Sequence, residues 1–219
     1  MLVEPVDVPG DPPVRGALHR VASEAADGLV LTHGAGGNKD APLLVAVAEA
    51  FVARGVSVLR CDLPYRQARP RGAPSPAGAA RDRDGLRAAL TLLRTKVTGR
   101  LFLGGHSYGG RQASMLLAAE PQLASALLLQ SYPLHPPGRP DALRTAHLPQ
   151  LQAPTLFVHG VTDPFATPAE LESARTLIPG RTQVLSINGG HDLGWTKRRS
   201  ASDLSERITA AFLDLVGTG

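Results

Sequence analysis

Leu101-Phe-Leu-Gly-Gly-His-Ser-Tyr-Gly-Gly110 sets one hydroxyl nucleophile among glycines at the end of an apolar run. Glycine weakens both strands and helices, so such a cluster marks a backbone geometry that larger residues would forbid. Gly105-His-Ser-Tyr-Gly109 fits G-x-S-x-G, a strained strand-to-helix turn that lifts a serine oxygen out of a sheet. The flanks agree: Arg100–Gly104 reads as a strand, and Tyr108 to Glu120 as a helix ended by Pro121. Ser107 is the candidate nucleophile, and glycines 105 and 109 are read as making room for neighbouring elements.

Working outward, the same rhythm recurs. Residues up to about Ala26, with Val6, Val8, Leu18 and Val21 around Pro-Gly and Pro-Pro turns, predict a hairpin. Gly28–Thr32, Val56–Arg60, Ser125–Gln130, Thr155–His159 and Gln183–Ile187 are short apolar runs that read as strands. Between them lie helical patterns. Asp40 is the expected cap of one that starts at Pro42, shows Leu43, Val47 and Phe51 on one face and stops at Gly55. Leu86, Leu90 and Leu93 mark a second. Thr167-Pro-Ala-Glu170 is a capping box for a helix carrying Leu171, Ala174 and Leu177, and Leu204, Ile208, Phe212 and Leu215 mark the last helix. Unbroken apolar strands alternating with amphipathic helices predict an α/β fold, a mostly parallel, doubly wound sheet with helices on both faces. The 219 residues suit a single domain spanning 1–219 with no separate cap domain. Two long connections, Asp62–Ala77 and Ser131–Ala153, leave the carboxyl ends of strands, where open α/β sheets bind ligands.

Composition narrows the function class. With 43% hydrophobic and 19% charged residues the chain is globular rather than disordered. The net charge of +4 comes from scattered arginines, with no long basic run and only 4% aromatics, so no nucleic-acid partner is expected. Lone Cys61 gives no internal disulfide, Met1–Gly10 lacks the order of a signal peptide, and Glu49 breaks the most apolar stretch. A cytoplasmic protein without a membrane partner is expected, as monomer or homodimer.

A serine hydroxyl needs a base, and His191 in Asn188-Gly-Gly-His-Asp192 follows the last strand at the same sheet edge. The carboxylate that would fix the imidazole is Asp163, just past the strand at Thr155–His159. Asp62 lies upstream of the serine, Asp192 adjoins His191, and no acid follows Gln130 closely. Thr32-His-Gly-Ala-Gly-Gly37 supplies the loop for a developing oxyanion, pairing the N–H of Ala35 (or Gly36) with that of Tyr108. The same loop fails as a phosphate cradle, because Asn38 precedes Lys39 and Asp40 follows it. Arg60, Arg66, Arg69 and Arg71 crowd one loop and Arg111 lies one turn into the nucleophile helix. Arg66 and Arg111 are candidates for an anionic substrate group, with solvated arginines as the competing reading. His33, His106 and Gly36 complete the candidate substrate-binding set. His33, His106 and His159 end strands on this edge, where supporting hydrogen bonds are expected rather than a metal site.

The chain resembles the α/β-hydrolase superfamily, in particular the small dienelactone-hydrolase-like group that includes testis-expressed-30-like proteins. The resemblance spans almost the whole chain. It is carried by Thr32–Gly37, Asp62-Leu-Pro-Tyr-Arg66, Gly104–Arg111, Tyr132-Pro-Leu-His-Pro-Pro-Gly138, His159-Gly-Val-Thr-Asp-Pro-Phe165 and Gly190-His191. It implies Ser107 as nucleophile, Asp163 as acid and His191 as base, with no cofactor and no metal. Dienelactone hydrolases proper carry cysteine at the turn where this chain has serine, so their substrate is not implied. The expected activity is a serine hydrolase acting on a small-molecule ester or related acyl bond. A non-catalytic binding or scaffold role and a cofactor-free perhydrolase or acyltransferase stand as alternatives.

Overall fold

Six of the apolar runs become parallel neighbours. In the computed structural model, which describes residues 2–23, 26–195 and 201–217, these are β3 (Gly28–Thr32), β4 (Ser57–Cys61), β5 (Leu101–His106), β6 (Ala126–Gln130), β7 (Thr155–Gly160) and β8 (Thr182–Ile187). The expected hairpin is β1 (Leu2–Val8) with β2 (Val14–Arg20), and β2 lies antiparallel on β4. The sheet order is β1-β2-β4-β3-β5-β6-β7-β8. It is the expected mostly parallel α/β sheet, and no cap domain interrupts the described residues.

Strand alternation splits the core into two layers. Leu29, Leu31, Phe102, Leu128, Leu156 and Val158 face α1 (Pro42–Ala53) and α6 (Ala201–Val216). There Phe212 of α6 meets Phe51 and Phe102 edge-on at 5.6 and 5.2 Å between ring centres. Val30, Leu59, Leu103, Leu127, Leu129 and Phe157 face the opposite way, onto α3 (Ala79–Arg94), α4 (Tyr108–Ala119) and α5 (Pro168–Arg175). Burying each such side chain stabilises by roughly 1.5–3 kcal/mol.

Local expectations fail where a tertiary partner competes. Asp40 does not cap α1: the helix starts after Ala41 without a side-chain cap, and the Asp40 carboxylate is taken by Lys39 Nζ at 2.6 Å and Arg60 Nη1 at 3.3 Å. The Thr167–Glu170 capping box is present, but α5 ends at Arg175 and leaves Leu177 44% exposed. Leu204 in α6 is only partly buried, unlike Ile208, Phe212 and Leu215. The Asp62–Ala77 connection contains a short helix, α2 (Pro64–Ala68), which matters for the site. Cys61 packs at the end of β4, and burial pushes its thiol up to about 12. No described helix is long and apolar enough to cross a membrane.

Candidate active site

The carboxyl ends of β3, β5, β7 and β8 converge on one place. Between β5 and α4, Ser107 adopts φ 48° and ψ −116°, a left-handed backbone that costs a non-glycine residue on the order of 1–3 kcal/mol. Its N–H donates to Gln130 O at 2.8 Å, and its carbonyl accepts the Arg111 N–H at 2.9 Å, so strand β6 and helix α4 hold the strained turn. The flanking glycines have the expected reason. A Cβ on Gly105 would lie 2.6 Å from Gly110 N, and one on Gly109 would collide with the carbonyl oxygen of His33.

Three side chains from separate loops meet here. His191 Nε2 lies 2.8 Å from Ser107 Oγ, and His191 Nδ1 lies 2.8 and 3.0 Å from the two carboxylate oxygens of Asp163. Asp163 is 4% exposed and also accepts the Phe165 N–H at 2.9 Å. A carboxylate facing Nδ1 assigns the ring proton to that nitrogen, which leaves the Nε2 lone pair to accept the serine proton. The two outer loops are joined by Thr162, whose N–H and hydroxyl both donate to Gly189 O at 3.0 Å. The Phe165 ring lies over the His191 imidazole at 4.2 Å, and His106 Nε2 donates to the His191 carbonyl at 3.0 Å. Burial lowers His106 to about 4, so it is a neutral donor.

The loop at Thr32–Gly37 is aimed through its carbonyls. Gly34 O accepts from His33 Nδ1 (2.9 Å), Gly37 N–H (3.0 Å) and Tyr65 OH (3.2 Å). In a trans peptide the N–H points opposite to the C=O, so these donors turn the Ala35 N–H the other way. Ala35 O in turn accepts from Tyr65 OH at 3.0 Å and Arg66 Nη2 at 2.8 Å. On the far side, Tyr108 is the first residue of α4 and has no intrahelical acceptor for its N–H. Its hydroxyl donates to Asp82 Oδ2 at 2.7 Å, while Asp82 Oδ1 accepts the Tyr65 N–H at 3.0 Å. Burial and the Asp82 charge raise the Tyr108 pKa, keeping this phenol a donor. One buried acid thus braces both halves of the candidate oxyanion site.

Ser107 opens onto a cavity of about 760 Å³, walled largely by apolar groups such as Leu43, Pro74, Phe165 and Trp195. Of the candidate oxyanion and substrate-binding residues, Ala35, Gly36, His106, Tyr108 and Arg111 line it. His33 and Arg66 do not. His33 is fully buried, with Nδ1 on Gly34 O and Nε2 accepting the Leu63 N–H at 3.2 Å; burial lowers its pKa, so the Asp62 carboxylate at 3.5 Å faces a neutral ring. Arg66 is 7% exposed and spends its guanidinium on three backbone carbonyls: Ala35, Arg69 and Gly72. Both stand behind the wall, supporting it. His159 makes its own supporting bond, Nε2 to Ala166 O at 2.8 Å. The reading of the sequence missed Tyr65, Asp82, Phe165, Trp195 and Arg144. Tyr65 and Phe165 lie in stretches that carry the family resemblance, and Asp82 leaves a signal as an acid four residues before Leu86 on the apolar face of α3.

Comparisons with known proteins agree with the fold. Residues 25–216 match a family model described as an alpha/beta hydrolase domain. Among solved structures, the chain is similar to a dienelactone hydrolase from Anabaena variabilis, with 24% identity, TM-score 0.75 and 98% of each chain covered. It is similar to Est1E from Butyrivibrio proteoclasticus at 16% identity and TM-score 0.77, covering 98% of this chain and 99% of that one. A serine hydrolase from Xanthomonas campestris described as having no lid aligns at 19% identity and TM-score 0.66, over 100% of this chain and 96% of its own. At these identities the likeness is one of fold.

Proposed function

We propose, from the premise that this chain belongs to the alpha/beta hydrolase domain family and is a hydrolase, that it cleaves a carboxylic ester or related acyl bond through an acyl-enzyme on Ser107. The observation that carries the proposal is the Ser107–His191–Asp163 relay, with 2.8 Å at each step. As Ser107 Oγ attacks the carbonyl carbon, His191 Nε2 takes its proton and the carbonyl electron pair moves onto oxygen. Asp163 stabilises the imidazolium that forms. The oxyanion lies between the N–H groups of Ala35 and Tyr108, donors of a kind whose loss costs about 10²–10³ in rate. Collapse of the intermediate breaks the bond to the leaving alcohol, which receives the proton from His191. Water, losing a proton to the same imidazole, then attacks the acyl-enzyme and returns Ser107. We read residues 1–219 as one such domain, acting in the cytoplasm on small-molecule acyl substrates.

The strained φ of Ser107 speaks against a purely binding role, since an idle serine would gain nothing from it. A fluorophosphonate probe tests the reading. Wild-type protein should label and hydrolyse p-nitrophenyl butyrate, and Ser107→Ala should do neither. Folded wild type that does not label would refute the hydrolase mechanism, and peroxide or alcohol outcompeting water would reassign it to acyl transfer.

A further inference from the structure

Several arginines among the described residues pair with a carboxylate. Arg60 pairs with Asp40, Arg87 with Asp84 and Glu120, Arg100 with Asp27, and Arg175 with Glu172. Arg111 and Arg144 are not among them, and what sets them apart from other unpaired arginines such as Arg54, Arg71 and Arg139 is their place. Both line the cavity of Ser107, and among the described residues neither guanidinium has an ion pair or hydrogen bond with any side chain. The Nε–H of Arg111 is shut off from solvent with no acceptor. No carboxylate among the described residues is paired with either guanidinium. His147, bonded to Ser114 Oγ at 2.8 Å, is held neutral by burial and by the nearby Arg111 and Arg83, its pKa lowered to about 4. Asp82 has both oxygens committed to Tyr65 and Tyr108, and Asp192, the one acid on the cavity wall among the described residues, is exposed and accepts the Gly194 N–H at 3.0 Å. Burial and the charge of Arg111 both work against the protonated state of Arg144.

The positions are fixed by backbone. Arg111 lies one turn beyond Ser107 on α4, about 6 Å along its axis. Arg144 is held by its N–H on Leu134 O at 2.7 Å and by Tyr132 OH on its own carbonyl at 3.2 Å. Two like charges facing one partly dry cavity repel each other until an anion sits between them, and a planar fork suits a carboxylate.

We propose that Arg111 and Arg144 form an anion-binding subsite beside Ser107, and that the favoured substrates are esters carrying a terminal carboxylate. The proposal rests on the hydrolase reading and adds the substrate class to it. Two matched pairs of esters test it. On the acyl side, p-nitrophenyl hydrogen adipate is set against its methyl-capped analogue; the spacer keeps the carboxylate from attacking its own ester. On the alcohol side, 4-(butanoyloxy)benzoate is set against its methyl ester. Each kcat/KM is normalised to alkaline hydrolysis. The wild type should favour the acid in at least one pair by about tenfold or more, and R111Q and R144Q should each bring that ratio down toward one. R139Q, at an exposed arginine of the same loop, should keep it. R144Q lies outside any helix, so the test stands even where R111Q fails to fold. Ratios near one in both pairs, from wild type that still labels at Ser107 with a neutral fluorophosphonate, overturn the subsite alone. If the wild type does not label, the hydrolase reading falls, and calorimetric titration with adipate monoamide decides the subsite by itself: heat lost in R144Q supports it, and no heat from wild type overturns it.

Discussion

Removing one oxygen from Tyr65 separates the aiming of the oxyanion loop from the stability of the fold. The Tyr65 hydroxyl has one proton, shared between Gly34 O at 3.2 Å and Ala35 O at 3.0 Å. In Tyr65→Phe, Gly34 O keeps His33 Nδ1 and Gly37 N–H, and Ala35 O keeps Arg66, so no carbonyl is orphaned. The stability cost is therefore that of one net hydrogen bond, about 0.5–1.5 kcal/mol. For a chain of this size that is a fall in Tm of roughly 1–6 °C. The catalytic effect should be larger. The peptides at Gly34–Ala35 and Ala35–Gly36 each lose a restraint, and the Ala35 N–H is aimed less sharply at an oxygen that exists only in the transition state. Complete loss of such a donor costs about 10²–10³, so a loosened one should cost about tenfold in kcat. KM for a neutral ester should stay within about twofold, because Tyr65 does not line the cavity. Steady-state kinetics on p-nitrophenyl butyrate alongside a thermal melt read both quantities. An unchanged kcat with the expected fall in Tm would mean that Tyr65 only packs, and the orientation argument would be wrong.

Two more outcomes follow from the site. Ser107→Gly and Ser107→Ala both lack the hydroxyl and should both be inactive, yet glycine should be the more stable by about 1 kcal/mol, because φ 48° strains alanine and not glycine; equal melting temperatures would deny the strain. His19, His106 and His147 are each lowered by burial from 6.5 to about 4. Between those values the unfolded chain binds protons that the folded one refuses. Stability should thus be full above pH 6.5 and fall toward pH 4, by up to about 1.4 kcal/mol per pH unit for each histidine. Urea midpoints that stay flat from pH 6.5 to 5, or a slope that His147→Asn leaves unchanged, would count against it.

Much of this was legible in the sequence because the signals were local. The elbow announces itself since glycines 105 and 109 are required by close backbone approach, a need that shows in residue type alone. Ser107, Asp163 and His191 each follow an apolar run, and the parallel sheet turns that repeated position into one place in space. What failed depends on side-chain partners that local pattern does not reveal, most of them distant in the chain. Asp40 has the chemistry of a cap, but Arg60 and Lys39 offered its carboxylate more than the helix did. Arg66 looks like a surface arginine until α2 folds its guanidinium under Ala35. Asp82 is met by Tyr65 and Tyr108, residues on two other elements, so its role could be suspected from its apolar face and not assigned. Arg144 sits in a loop without periodicity, where nothing in the order of residues says which way it turns.

Arg66 ties two things together that need not have been joined. The guanidinium that holds Ala35 O also holds Gly72 O, and the next residues, Ala73 to Pro76, form part of the cavity wall. A bulky acyl group that pushes this wall outward would pull on a linkage ending at the peptide proposed to cradle the reacting carbonyl. Size selection then acts through speed as well as grip, and an oversized ester should betray itself as a bound but sluggish guest.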